Sequence, residues 1–346
     1  MLCGRNHQVS VGIDIGSKTI KIVELEKEGN AFKLRGSGIV GYQGASPEHA
    51  KDEKELLGVA DVIRKLHREA KISGKEVTVA LPEPNVYTRT IKFPPLTDQE
   101  IASAIKWEAE QYIPIPIGEA IIQHTIIERR ENVSPPEVAV LLIAAPRNIV
   151  ELYVKVVQMA GLTVTAVETE LMALARSLAP ANQTVMLADF GARSTDIAIV
   201  KNGQLSFTRT IPTAGEAFTR AVAQTLGVEI SQAEEYKRAY GLSGSQLEGK
   251  IKGALDPVFR MVVDEMKKAI HFYQSEEKGE APKSVVLAGG TAGMPEAISL
   301  LSKLMGIEVV MGNPFAKISV DPEVARSLMP YAPLYSIAVG LAERGE

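Results

Sequence analysis

Two stretches of this chain repeat one another about half its length apart, and that repeat constrains the fold more than any other feature. VGIDIGSKTIKIVELEKEGNAFKLRGSGIV starts at Val11, and VMLADFGARSTDIAIVKNGQLSFTRTIP starts at Val185. Each reads as an apolar strand, an Asp and a Gly two apart in a tight turn, a second strand, a hairpin turn and a third strand. Asp14 and Asp189 stand 175 positions apart in a chain of 346 residues. Internal duplication of one α/β unit accounts for this, and two related units facing each other make a cleft. The length suits two such domains, or one with a large insertion.

Between the repeats, Glu53 to Ala70 carries apolar residues at helical spacing, and Val77 to Leu81 reads as a buried strand. The segment from Pro82 to about Pro146 has a different texture. Nine prolines punctuate it, and they bracket an expected edge strand at Asn85 to Phe93 and a helix announced by Thr97 with Glu100 three residues on, a capping-box pattern. This is read as an inserted subdomain, placed at about 82–160. Val138 to Ala145 (VAVLLIAA) fits a buried strand, and Trp107 is read as a core anchor. A helix from Ile149, a strand to Val167 and a helix from Glu168 to about Leu178 lead into the second repeat.

Three glycine loops carry the chemistry. The loop Asp14-Ile15-Gly16-Ser17-Lys18-Thr19 turns back on itself, so its backbone N–H groups point outward where a polyphosphate can sit, with Gly16 allowing close approach. Asp14 suits the waters of a Mg²⁺ ion, which takes few carboxylates directly. Asp189, Gly191, Ala192, Arg193, Ser194 and Thr195 offer the same parts from the opposite unit. One Asp-x-Gly alone is an ordinary hairpin turn; two at matching places are not required by hairpin economy. The third loop follows the strand Ser284 to Ala288 as Gly289-Gly290-Thr291-Ala292-Gly293-Met294-Pro295 and leads into a helix, an arrangement suited to a nucleotide. Neither a G-x-G-x-x-G nor a G-x-x-x-x-G-K-[ST] pattern occurs, which disfavours Rossmann and P-loop readings.

With these motifs in order, the chain resembles the actin, Hsp70 and sugar-kinase superfamily. Within it, the nearest resemblance is to the type IV pilus assembly PilM family, carried by VGIDIGSKTIKIVEL, KWEAEQYIPIP, DFGARSTDIAIVKNGQLSFTRTIP, AEEYKRAYG and VVLAGGTAGMPEAISLLSKLMGIEVVMGNPF. The resemblance implies an α/β fold of duplicated actin/Hsp70-like, ribonuclease H-like domains facing a nucleotide cleft, with an inserted FtsA-like 1C subdomain. The implied boundaries are 1–180 for domain I, 181–330 for domain II with a helical subdomain at about 215–282, and 331–346 for a helix returning to domain I. ATP and Mg²⁺ are the implied cofactors, with weak or absent ATPase activity.

Residue by residue, the resemblance sets Asp14, Gly16, Ser17, Asp189, Gly191 and Ser194 around phosphates and metal, and Gly289, Gly290, Thr291 and Met294 around adenosine. Glu234 and Lys237, one turn apart, match a ribose-contacting motif; their spacing alone equally suits a surface ion pair. Lys18 and Lys21 compete for a phosphate. Glu168 and Glu170 compete for the place of the residue that orients an attacking water, and both also suit a helix N-terminus.

The resemblance implies that the inserted subdomain helps form a groove for the N-terminal cytoplasmic tail of the membrane protein PilN. The assembly ATPase and further copies of the chain are additional partners compatible with it. An FtsA-like cell-division protein and a small-molecule kinase of the same superfamily are the alternatives. An FtsA-like chain would carry a lipid-binding C-terminal amphipathic helix, and this sequence stops at Leu341-Ala342-Glu343-Arg344-Gly345-Glu346. Composition agrees: a net charge of −4 gives no basic excess for nucleic acid, the single cysteine, Cys3, favours a reducing cytoplasm, and no apolar run reaches the roughly 18 residues of a membrane helix. The expected place is therefore the cytoplasmic face of the inner membrane, reached through partners.

Overall fold

A computed structural model describes residues 8–131, 134–244 and 247–344. Cys3, His7 and the Gly345–Glu346 end lie outside the described residues. In the first half, β1 (Val9–Ile15), β2 (Thr19–Glu28) and β3 (Ala31–Gly41) form a meander that leads to α1 (Glu53–Glu69) and β4 (Glu76–Leu81). β5 (Tyr87–Phe93), α2 (Asp98–Ala109), β6 (Ala120–Arg130) and β7 (Glu137–Pro146) follow, then α3 (Arg147–Met159), β8 (Thr163–Thr169) and α4 (Glu170–Leu178). The second half opens with β9 (Thr184–Phe190), β10 (Thr195–Lys201) and β11 (Gln204–Ile211), passes through α5 (Gly215–Leu226), α6 (Ile230–Tyr240) and α7 (Lys250–Ser275), and closes with β12 (Ser284–Ala288), α8 (Ala297–Met305) and β13 (Glu308–Met311). The chain then returns through β14 (Ile318–Ser319), α9 (Pro322–Leu328) and α10 (Ser336–Ala342).

The duplication is visible in the sheets. One runs β14-β3-β2-β1-β4-β8 and the other β11-β10-β9-β12-β13, so five strands follow the same order in each. In both, an antiparallel meander is extended by parallel strands, and the central strands are buried along most of their length because both faces are covered. α1 buries Leu56, Val59, Ala60, Ile63 and Leu66 on one stripe, and Asp52 caps its start by accepting from the Glu55 N–H at 2.9 Å.

The insertion is a three-stranded sheet of order β5-β7-β6 with α2 against it. β7 contains the VAVLLIAA run and is the central strand, buried on both faces. Thr97 and Glu100 form the capping box that starts α2. Three expectations change. The insertion ends at Pro146 instead of near residue 160, because Tyr153, Val156 and Val157 of α3 pack into the core of the first half with Ile13, Ile63 and Val79. β6 is a further strand that the sequence reading does not place, although its β-branched Ile121, Ile122, Thr125, Ile126 and Ile127 signal one. Trp107 is 74% exposed, so the core anchors of α2 are Ile101 and Ile105.

Candidate functional site

The two Asp-x-Gly turns are the same turn built twice. Gly16 N–H donates to Thr19 O and Gly191 N–H donates to Ser194 O, both at 3.1 Å. A Cβ on Gly16 would stand 3.1 Å from Thr19 O, and one on Gly191 would stand 3.0 Å from Ser194 O, so either side chain would crowd the turn. Ser17 and Ala192 are half-buried in these turns, and Lys18 and Arg193 at the next positions are exposed. These two cations come from different halves and converge on Glu216 of α5, Lys18 at 3.0 Å and Arg193 at 3.9 Å. The halves thus meet at the mouth of the cleft.

Behind the turns the charges diverge. Register sets Lys21 opposite Asp14 on β2 and Asp196 opposite Asp189 on β10. The Lys21 ammonium donates to Asp14 Oδ2 at 2.9 Å in a buried pair. Burial alone would depress this ammonium, but Asp14, with Asp189 and Glu170 beyond it, holds it above its ordinary value. Asp14 Oδ1 is buried and has no hydrogen-bond partner among the described residues. In the second half, Asp196 accepts from Ser194 Oγ and Thr210 Oγ1, both at 2.6 Å. Burial still pushes the Asp196 carboxyl up, against those two bonds. Asp189 is raised to about 7, by burial first and by the like charge of Asp196 second.

Two glutamates complete the cluster. Glu170, in the first turn of α4, is pushed well above the usual carboxylate range by burial and then by Asp14, Asp196 and Asp189. Glu83, in the short 3-10 turn Glu83–Asn85 after β4, is raised to about 8 by burial and by Asp196, against a bond from Leu171 N–H. Its Oε1 accepts that N–H at 2.8 Å, and its own N–H donates to Glu170 Oε2 at 3.2 Å.

The third loop is stitched to the second. Thr291 donates its N–H to Phe190 O at 3.0 Å and its hydroxyl to Gly191 O at 2.9 Å. Gly289 sits at φ +85, where a side chain would run into the Asp189 carboxylate and Phe190 O. Gly215 and Glu216 at the start of α5 donate to Gly191 O at 3.2 Å and Ala192 O at 2.8 Å.

Several expected site residues are placed elsewhere. Glu168 is engaged by Arg176 through both carboxylate oxygens at 2.9 Å and by Arg344 at 2.8 Å, so only Glu170 of the two competing glutamates joins the acidic cluster. Thr195 is fully buried with its hydroxyl donating to Thr213 O at 2.8 Å, which removes it from the turn's outer surface. Lys237 is buried and donates to Gly215 O, Thr219 Oγ1 and Glu234 Oε2, so this lysine and Glu234 tie α6 to α5. Met294 belongs to the core of the second half.

Asp196, Glu216 and Glu83 were not anticipated. Asp196 was within reach, because it occupies the position in the second repeat that Lys21 holds in the first. Glu83 was not, because Glu-Pro-Asn reads only as a turn.

The residues fit a magnesium nucleotide: two turns that a Cβ would crowd, a buried carboxylate oxygen lacking a partner, and cations at the mouth. Asp14 and Asp189 match the one or two carboxylates by which Mg²⁺ is held alongside phosphates and waters. Among the described residues, no cluster of three or more His, Cys, Asp or Glu forms a metal cage.

A groove of about 480 Å³ adjoins the cleft, between the edge strand β5 of the insertion and the edge strand β11 of the second half. The two edges touch where Thr90 Oγ1 donates to Ser206 O at 3.1 Å. They part toward Tyr87, Arg89, Thr208 and Thr210, and Glu83, Pro84 and Val86 line the same space. The edge expected at β5 is therefore half of a groove shared with β11. No helix among the described residues is long and apolar enough to cross a membrane.

A family model described as "Type IV pilus assembly protein PilM" matches residues 12–346. The solved structure of a PilM-PilN type IV pilus biogenesis complex is similar at a TM-score of 0.81 and 27% identity, covering 97% of this chain and 98% of that one. MreB 5 of Spiroplasma citri bound to AMPPNP is similar in fold, with a TM-score of 0.54, 12% identity, and 97% and 95% of the two chains covered. The cell division protein FtsA of Pseudomonas aeruginosa is 26% identical over 278 residues, which span 69% of this chain and 64% of that protein.

Proposed function

This chain belongs to the type IV pilus assembly protein PilM family, and on that premise we propose that it is an ATP-binding component of a type IV pilus assembly complex that holds the N-terminal cytoplasmic tail of PilN. The observation that carries the nucleotide reading is the pair of identical turns set around Asp14, Lys21 and Asp189. When bound, Mg-ATP supplies negative phosphates and a divalent ion. Lys21 and the turn N–H groups other than those of Gly16 and Gly191 would hold the phosphates, and Asp14 and Asp189 would hold the ion. Lys18 and Arg193, paired with Glu216 at the cleft mouth, would be available to phosphates as well, so these exposed pairs would change with nucleotide state. Glu170 is the residue of this chain suited to orient a water. Burial, and then Asp14, Asp196 and Asp189, hold its carboxyl well above the usual carboxylate range and make the charged form costly, which fits hydrolysis that is slow or absent.

The tail is assigned to the groove between β5 and β11, where two sheet edges offer backbone groups to an extended segment. Holding that tail sets the protein on the cytoplasmic face of the inner membrane. Mg-ATP at about 100 times its Kd is expected to stabilise the protein by about 2.7 kcal/mol, read as a rise in melting temperature. Asp189→Ala is expected to shrink the rise. No rise in the wild type at millimolar Mg-ATP overturns the nucleotide reading, and no capture of the protein by immobilised PilN tail overturns the partner reading.

A further inference from the structure

We propose that Glu83 is a positioning residue that ties the groove to Glu170, so that an extended segment entering between β5 and β11 shifts the carboxylate beside the nucleotide. This rests on the function proposed above and adds the path by which its two sites communicate.

Glu83 stands at the joint between β4, in the sheet of the first half, and β5, the first strand of the insertion. It is 4% exposed. Its side chain and its backbone grip the same turn of α4 from two directions: the carboxylate accepts from Leu171 N–H and bonds Thr169, and the backbone N–H donates to Glu170 Oε2. Glu170 is thus held by a residue of the joint, outside its own helix. The same joint forms the wall of the groove through Glu83, Pro84 and Val86.

Stiffness makes the contact useful. Pro82 and Pro84 fix φ on both sides of Glu83, so the joint moves as a unit. β5 meets β11 at Thr90 and Ser206, so a segment that widens the gap displaces β5 and carries the joint with it. The bond from Glu83 N–H to Glu170 must then lengthen, or α4 must follow. Either outcome alters the acidic cluster.

The test is a binding cycle on the full chain. A fluorescent ATP analogue with Mg²⁺ is titrated with and without a saturating synthetic peptide of the PilN tail. In the wild type the peptide is expected to change the nucleotide Kd by about five-fold or more, and the nucleotide to change the peptide Kd by the same factor. Glu83→Ala, which leaves Leu171 N–H without its acceptor, is expected to bring the coupling factor close to one, whatever it does to the affinity for either ligand alone. Glu83→Gln keeps an acceptor for Leu171 and retains most of the coupling. Pro84→Gly, which spares the carboxylate and loosens the joint, reduces it, and serves if Glu83→Ala does not fold. A wild type that binds both ligands without coupling, or variants at Glu83 and Pro84 that couple as the wild type does, overturns this inference alone. A wild type that binds only one ligand overturns it together with the reading on which it rests.

Discussion

In the first half of the molecule the cleft aspartate, Asp14, faces Lys21 across the strand pair; in the second half, at the same register of the same turn, Asp189 faces Asp196. The backbone is duplicated and the charge is not. One half neutralises its carboxylate internally, while the other stacks two carboxylates and relies on Ser194 and Thr210 to make the arrangement tolerable. Once two copies of a fold face each other, they share one electrostatic centre and need not each be balanced. The Lys21 ammonium answers to Asp189 and Glu170 as well as to its own partner.

Breaking the neutral half should have the largest effect. Lys21→Ala leaves Asp14 buried and uncompensated, and removal of one partner from a buried pair costs about 3–5 kcal/mol, measurable by urea denaturation of the nucleotide-free protein. A loss below about 1 kcal/mol would mean that the two halves are equally unbalanced.

The acidic half predicts a pH dependence of intermediate size. Asp189, raised to about 7, and Glu83, raised to about 8, hold protons in the native state that the unfolded chain releases near pH 4. The native state therefore binds more protons in this window, and stability falls as pH rises from about 5 to about 8. Above pH 8 the loss levels off. Asp196→Asn removes the like charge beside Asp189 and is expected to flatten this slope, whatever it does to absolute stability; an unchanged slope in thermal melts would detach Asp189 from Asp196.

The smallest effect belongs to the mouth. Lys18→Ala removes an exposed ion pair with Glu216 and should cost less than about 1 kcal/mol, yet it should weaken nucleotide binding more than it weakens the fold. Parallel melting and binding measurements separate the two.

Much of this architecture is legible in the residues. The repeat is so because register and turn chemistry leave a strict pattern: Asp14 and Asp189 at strand ends, Gly16 and Gly191 where a Cβ would crowd a carbonyl. Helix starts such as Thr97 with Glu100 are equally local. What escaped is what depends on distant chain. Glu168 and Glu170 differ by two positions on a strand-to-helix junction, and only Arg176 and Arg344 reveal which one is engaged. Trp107 faces outward because Ile101 and Ile105 already fill the space under α2. Glu83 gains its place from Leu171, 88 residues away.

The seat of α10 on β1 has a consequence in time. Ser10 Oγ donates to Ala342 O across 332 residues, and Gly12 lies so close to Ala338, Leu341 and Ala342 that no side chain fits between the strand and the helix. At about 5–20 residues per second of synthesis, β1 waits roughly 20–60 seconds for the helix that covers it. The second half needs nothing beyond Met311 to close its sheet. In space the halves are a matched pair; during translation, the half made first is finished last, and a chaperone has most reason to attend to the exposed face of β1.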